Sequence, residues 1–260
     1  MIADAPQSLG RHLADLRRFL IRALLAIGIA STLAFAVAPT VFRFLERPYR
    51  QLLVNTDSPM PNAFLQTLDP AETFTMSFTV AVMVGMMVVL PYLLFELWRF
   101  VRPGLRNAEQ QWVIPIMVGG TLLFFLGAAF AYYAVLPMIL SFFWDYSLRL
   151  GVAPAWTIRH YIDCVLELLI SFGVAFELPV AVSILTGLGI VTARWMQQTR
   201  RYAIFIICVI SAVLTPADVL SMILMAIPLL ALYELSILLA RWIDKRTPDA
   251  VTTVSQNKEK

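Results

Sequence analysis

Six apolar runs constrain this chain more than any other feature: Leu20–Phe42, Phe74–Leu97, Trp112–Leu136, Tyr161–Gly187, Tyr202–Leu214 and Val219–Ala240. A helix needs about 20 apolar residues to cross a hydrocarbon core about 30 Å thick, and five of the runs reach that length. Tyr202–Leu214 does not, since its 13 residues rise only about 20 Å as a helix. Either it stops short of one face or the bilayer thins beside it. Hydrophobic residues make up 60% of the chain and charged ones 14%, against about 25% charged in soluble domains. The expectation is an all-α polytopic membrane protein of six transmembrane helices over residues 20–240, bent by prolines into a curved, concave wall. A cytoplasmic amphipathic segment precedes them at residues 1–19 and a polar, disordered tail follows at 241–260.

Orientation follows from the basic residues, because short loops rich in them stay in the cytoplasm. Only five of the 20 Lys and Arg residues, namely Arg43, Arg47, Arg50, Arg149 and Arg159, fall in the first, third and fifth connections. The rest fall in the two ends and the even connections, which predicts both termini on the cytoplasmic side. The first run lacks a small-residue cleavage site and Arg22 interrupts its start, so it reads as a retained helix rather than a signal peptide. Cys164 and Cys208 lie in separate apolar runs and read as packing residues, with no disulfide framework.

Catalytic patterns are missing. The chain has no phosphate loop, no H-E-x-x-H and no G-x-S-x-G turn. His12 and His160 fall on opposite sides of the expected membrane, so they do not share a metal. Asp163 is the only aspartate inside the six runs, which leaves no aspartyl pair for an intramembrane protease. No enzyme, no metal and no cofactor is expected. The pI near 9.0 follows from positive-inside loops and does not point to nucleic acid.

The polar residues inside the fourth run carry the information. At 100° per residue, Asp163, Glu167 and Glu177 fall within an arc of about 80° on one helix face. A charge at the bilayer centre costs ~2.5–3.5 kcal/mol on insertion scales, so this stripe should face protein, a wet cavity or a partner. Two readings stay open for Glu177: a protonated acid hydrogen-bonded to a neighbouring helix, or part of a polar site on a concave face. Pro179 cannot donate to the Ala175 carbonyl, so the helix should bend there and leave an acceptor free. Pro91, Pro115, Pro137 and Pro228 predict further bends.

At the N-terminus, Leu9, Leu13, Leu16 and Leu20 recur at helical spacing, which predicts an amphipathic approach lying along the membrane and leaving Asp15 as an acid among arginines. The loop Trp98–Trp112 is basic and aromatic, and Glu109 is its one acid. On physical grounds alone Glu109 reads as a solvated acid in the first turn of a helix.

Taken together these segments resemble the TatC family, the large membrane subunit of the twin-arginine protein translocase, over about Leu9 to Arg241. The motifs that carry the resemblance are His12-Leu13 with Leu16-Arg17, Phe100 with Pro103-Gly104-Leu105, Phe176-Glu177-Leu178-Pro179, Arg200-Arg201-Tyr202, Leu214-Thr215-Pro216 with Asp218, and Pro228 followed by Leu232-Tyr233-Glu234. The resemblance implies a receptor that recognises twin-arginine signal peptides of folded cargo at the cytoplasmic face of the bacterial inner membrane. It also implies assembly with the single-span proteins TatA and TatB, homo-oligomerisation within the complex, and export driven by the proton-motive force.

By the same resemblance, Glu109, helped by Asp15, binds a signal arginine, with Leu16, Arg17, Phe100 and Pro103 completing the signal site. A planar guanidinium suits a carboxylate because it bonds bidentately. Glu177, Glu167, Asp163, Thr215 and Met222 become intramembrane partner or transport residues, and Pro48, Pro179, Asp218, Tyr233 and Glu234 structural ones. The chain departs from the family where Asp15 replaces a longer glutamate, where Gln110 replaces a basic residue, and where Met222 replaces a glutamine in the last helix. The alternatives are an ion-coupled small-solute permease using Asp163, Glu167 and Glu177, and a scaffold for single-span helices.

Overall fold

Prolines decide where several of the apolar runs stop and where they continue. The computed structural model describes residues 9–55, 65–101, 113–187, 189–214 and 219–246, and it is all-helical apart from one isolated bridge. In chain order the helices are α1 Leu9–Phe35, α2 Ala38–Leu45, α3 Arg47–Asn55, α4 Glu72–Val101, α5 Val113–Phe130, α6 Leu136–Arg149, α7 Ile158–Phe176, α8 Leu178–Gly187, α9 Ala193–Gln198, α10 Arg200–Leu214 and α11 Val219–Arg246. Five segments are long and apolar enough to span: Leu16–Phe35, Glu72–Glu96, Val118–Arg149, Ile158–Gly187 and Met222–Ile243. The short sixth, α10, has 15 residues and rises about 22 Å.

Leu9–Phe35 is one uninterrupted helix of 27 residues, so the N-terminal approach is continuous with the first span. Three expectations change. The first run then breaks before Phe42, and α2 begins at Ala38 with Pro39 in its first turn; proline has no N–H for the Phe35 carbonyl but starts a helix at no cost. The third run does not end at Leu136. Residues Ala131–Val135 form a π-helical turn in which the Leu136 N–H reaches the Ala131 carbonyl, and the wider turn lets the chain pass Pro137 and continue to Arg149. Asp145 therefore joins Asp163 as an aspartate within a spanning segment. Pro91 and Pro228 lie inside α4 and α11 without ending them. At Pro179, by contrast, the helix does break: α7 stops at Phe176, Glu177 caps it, and α8 restarts at Leu178.

The chain divides into two units, Met1–Phe44 with Thr73–Thr121, and Leu45–Glu72 with Leu122–Lys260. In the first, α1 and α4 pack antiparallel. Phe35 meets the Phe74 ring edge-on, with centroids 6.0 Å apart, and Arg22 meets Glu96 toward the opposite ends. Between them Gly85 lies directly against Ser31: a Cβ there would sit 2.5 Å from the serine Oγ and 2.6 Å from its backbone nitrogen. Helices that lack a strong apolar drive to associate in lipid rely on such small-residue contacts.

In the second unit α5 and α7 use the same device twice. Gly127 faces the Phe172 carbonyl and the Phe176 ring, and Gly173 faces the Phe124 ring. Phe172 is fully buried at this crossing, as are Ile162 and Val165 earlier on α7. α11 packs on α8, α9 and α10, and Ala193, Met196, Ile237 and Ala240 close that contact. After α6 the chain turns through Gly151, whose φ of 72° is costly for any other residue. The Val152 N–H returns to the Ser147 carbonyl and the Gly151 N–H to that of Leu148, a Schellman cap.

Gly85→Val should drive its side chain into the Ser31 backbone and destabilise the α1–α4 pair by about 1–3 kcal/mol. Gly28→Ala, on α1 with nothing within 4 Å, should be neutral or mildly stabilising. Thermal unfolding of the two variants in detergent checks this, and equal midpoints would contradict the close approach.

Candidate functional site

Three groups of polar residues stand inside or beside the spans. The first joins α1 to α4. Arg22 Nη1 donates to both Glu96 oxygens, at 3.4 Å and 3.3 Å, and the Tyr92 hydroxyl donates to Oε1 at 3.4 Å. The Glu96 side chain is 8% exposed and that of Arg22 45%. A carboxylate so enclosed needs a cation, and a single guanidinium nitrogen reaches both of its oxygens. Sequence reasoning missed this pair, which spans 74 residues. The available signal was a basic residue at the start of the first apolar run and an acid near the end of the second.

The second group follows α7. Asp163 and Glu167 are exposed on the same face as Ile170 and Val174, as the helical spacing predicts. Arg159 Nε lies 3.9 Å from Asp163 Oδ2 with both side chains more than half exposed, so the pair adds little. Glu177 sits at the edge of that face, half-buried, where the helix breaks. Its Oε1 is buried with no hydrogen-bond partner among the described residues. The neighbouring-helix hydrogen bond of the first of its two readings is therefore not seen at that oxygen. Pro179 is fully buried behind it.

The third group is a clasp around the connections that flank α3 and α7. Gln66 and Thr157 form a parallel bridge: the Gln66 N–H donates to the Trp156 carbonyl at 3.0 Å and the Ile158 N–H to the Gln66 carbonyl at 2.8 Å. Beneath it the Tyr161 hydroxyl donates to the Leu45 carbonyl at 2.6 Å. Tyr49 packs its ring against Trp156 and Tyr161, and Trp156 meets Trp144 at right angles. Pro48 is buried in the first turn of α3 and presets that turn. Burial, then the nearby Glu46 carboxylate, raises the Tyr49 pKa above the ordinary phenol value and keeps the hydroxyl protonated. Glu46, buried, is paired one turn on with Arg50 at 3.0 Å.

Of the other sequence-assigned residues, Leu16 and Arg17 are exposed on α1. Tyr233 donates its hydroxyl to the Met196 carbonyl at 2.8 Å, and Glu234 pairs with Arg200, so both tie α11 to the α9–α10 turn. Met222 is half-buried early in α11. Glu109, Gln110, Pro103, Thr215, Asp218 and the tail after Arg246 lie outside the described residues, and for Asp15 and Phe100 the helical backbone alone is described. The described residues hold no cluster of three or more His, Cys, Asp or Glu fit for a metal.

A family model described as Sec-independent protein translocase protein (TatC) matches residues 11–228. The Sec-independent protein translocase protein TatC of Aquifex aeolicus is 38% identical over 234 residues, covering 90% of this chain and 94% of the relative. That of Haemophilus influenzae is 32% identical over 257 residues, 99% of this chain and 98% of the relative. A crystal structure of the twin arginine translocase receptor TatC superposes with a TM-score of 0.79 at 38% identity, over 89% of this chain and 99% of that one.

Tyr161→Phe removes the clasp's buried hydroxyl and leaves the Leu45 carbonyl short of a donor. It should cost about 1–3 kcal/mol, seen as a lower unfolding midpoint in detergent, whereas an unchanged midpoint would mean the bond contributes nothing.

Proposed function

This chain belongs to the TatC family of Sec-independent protein translocase proteins, and from that premise we propose that it is the subunit that reads the twin-arginine signal of folded cargo. It is a membrane component of a protein translocase and not an enzyme. The reading places it in the bacterial inner membrane with both termini cytoplasmic, in complexes with further copies of itself and with TatA- and TatB-like single-span proteins, working on the proton-motive force. Membership sets the acidic face of α7 in a protein translocase rather than in a solute permease.

The observation that carries the site assignment is the antiparallel α1–α4 pair. Arg22 touches Glu96, Leu16 and Arg17 lie one to two turns before Arg22, and Val101 lies just over a turn beyond Glu96. Leu16 and Arg17 thus share one end of the pair with the start of the segment that carries Pro103 and Glu109. In this reading Glu109 accepts a signal arginine through both carboxylate oxygens, Asp15 adds local negative charge, and Phe100 and Pro103 shape the floor. Basic residues crowd this end, so attraction must come from short contacts, and salt should weaken it.

The α7–α8 joint serves a later step. Glu177, with one oxygen buried and unpartnered, offers a polar group to a helix arriving on the face that Asp163 and Glu167 mark. Thr215 and Met222 are the candidates at the last two helices, and Asp218 is proposed to hold the turn between them.

Glu109→Ala should abolish crosslinking of a twin-arginine signal peptide, a loss of about 2 kcal/mol or more of binding. Glu177→Ala should leave that crosslinking intact and lower export of cargo. Undiminished crosslinking in Glu109→Ala would overturn the signal-site assignment, and wild-type export by Glu177→Ala would overturn the role of the joint.

A further inference from the structure

We propose that Arg22 and Glu96 are positioning residues for signal recognition: their ion pair fixes the register of α1 against α4, and so the spacing of the two segments that grip the signal. This rests on the signal-site reading above.

Arg22 stands inside the span Leu16–Phe35 and Glu96 is the last residue of the span Glu72–Glu96. Neither charge suits an apolar helix alone, and each neutralises the other. Even a partly buried ion pair is seldom the most stabilising choice at its position, since two apolar residues often serve as well or better. What such a pair does supply is register, because sliding or turning either helix separates the two charges in a region of low dielectric.

Elsewhere along this pair the described contacts are apolar or made by small residues. Phe35 meets Phe74 edge-on, and Gly85 sets how closely the helices approach Ser31. The Arg22–Glu96 contact also lies toward the recognition end of the pair. Leu16 and Arg17 project from α1 beyond it, and α4 runs only from Glu96 to Val101 before the segment that carries Glu109. An axial slip of one helix turn, about 5.4 Å, would displace Arg17 relative to the last turn of α4 by more than a hydrogen bond tolerates.

The test measures the dissociation constant of a fluorescent twin-arginine signal peptide for the full chain in nanodiscs, alongside the unfolding midpoint. Arg22→Gln and Glu96→Gln should each raise the dissociation constant about tenfold. The swapped double variant, Arg22→Glu with Glu96→Arg, should return it to within about threefold of the wild type. Recovery on swapping separates register from a general loss of fold. If Glu96→Gln yields no monodisperse protein, Glu96→Asp, which draws the carboxylate back by one methylene, replaces it with the same expected rise. Wild-type binding by the neutral variants, or a swapped variant as weak as the single ones, would overturn the proposal. Glu109→Ala in the same assay keeps the two ideas apart. Lost binding there with unaffected Arg22 and Glu96 variants sinks the pair alone, while retained binding sinks the site assignment and the pair with it.

Discussion

A polar group inside hydrocarbon has no water to bond, and the rest of this structure follows from how the chain meets that constraint. The backbone meets it by being helical throughout the spans, with a π-helical turn at Pro137 and a full break at Pro179 where proline withdraws a donor. Side chains meet it in three ways. Arg22 and Glu96 neutralise each other across two helices. Tyr161 and Tyr233 spend their hydroxyls on carbonyls of distant segments. Asp163 and Glu167 remain exposed along α7, on a surface that lipid alone would not tolerate cheaply.

That division maps onto what the molecule does as a translocase component. The satisfied groups lie where segments must hold still: the α1–α4 pair, the clasp around Tyr49, and the α9–α11 contact. Asp163 and Glu167, both exposed, and the buried oxygen of Glu177 gather on one face and at one joint. A surface that receives another helix can use polar groups left available to it.

Much of the fold was legible because length and apolarity alone identify a spanning helix. The shortness of α10 was equally plain, since no residue before Arg200 or after Leu214 extends its apolar run. Proline was legible in part: α4 and α11 run through Pro91 and Pro228 as their apolar runs imply, whereas the third run continues past Pro137 because a wider turn absorbs the missing bond and the fourth breaks outright at Pro179. Long-range pairings left the weakest trace. Arg22 was visible as an oddity at the start of the first run and Glu96 as an acid near the end of the second, but nothing local says that the runs are antiparallel neighbours. The Gln66–Thr157 bridge is made by backbone groups, which any residue carries. The residues of the proposed signal site were assigned through their family pattern, whereas the geometry that brings Leu16 and Arg17 to the same end as α4's last turn came only from packing.

The central claim is that one carboxylate-bearing end of the α1–α4 pair recognises paired guanidinium groups rather than positive charge in general. Equilibrium binding of two otherwise identical signal peptides to the chain in nanodiscs, one with Arg-Arg and one with Lys-Lys, tests it most directly. The account predicts that the Arg-Arg peptide binds at least about tenfold more tightly, because the planar fork engages both oxygens of a carboxylate and an ammonium does not. Equal affinity for the two peptides would contradict it.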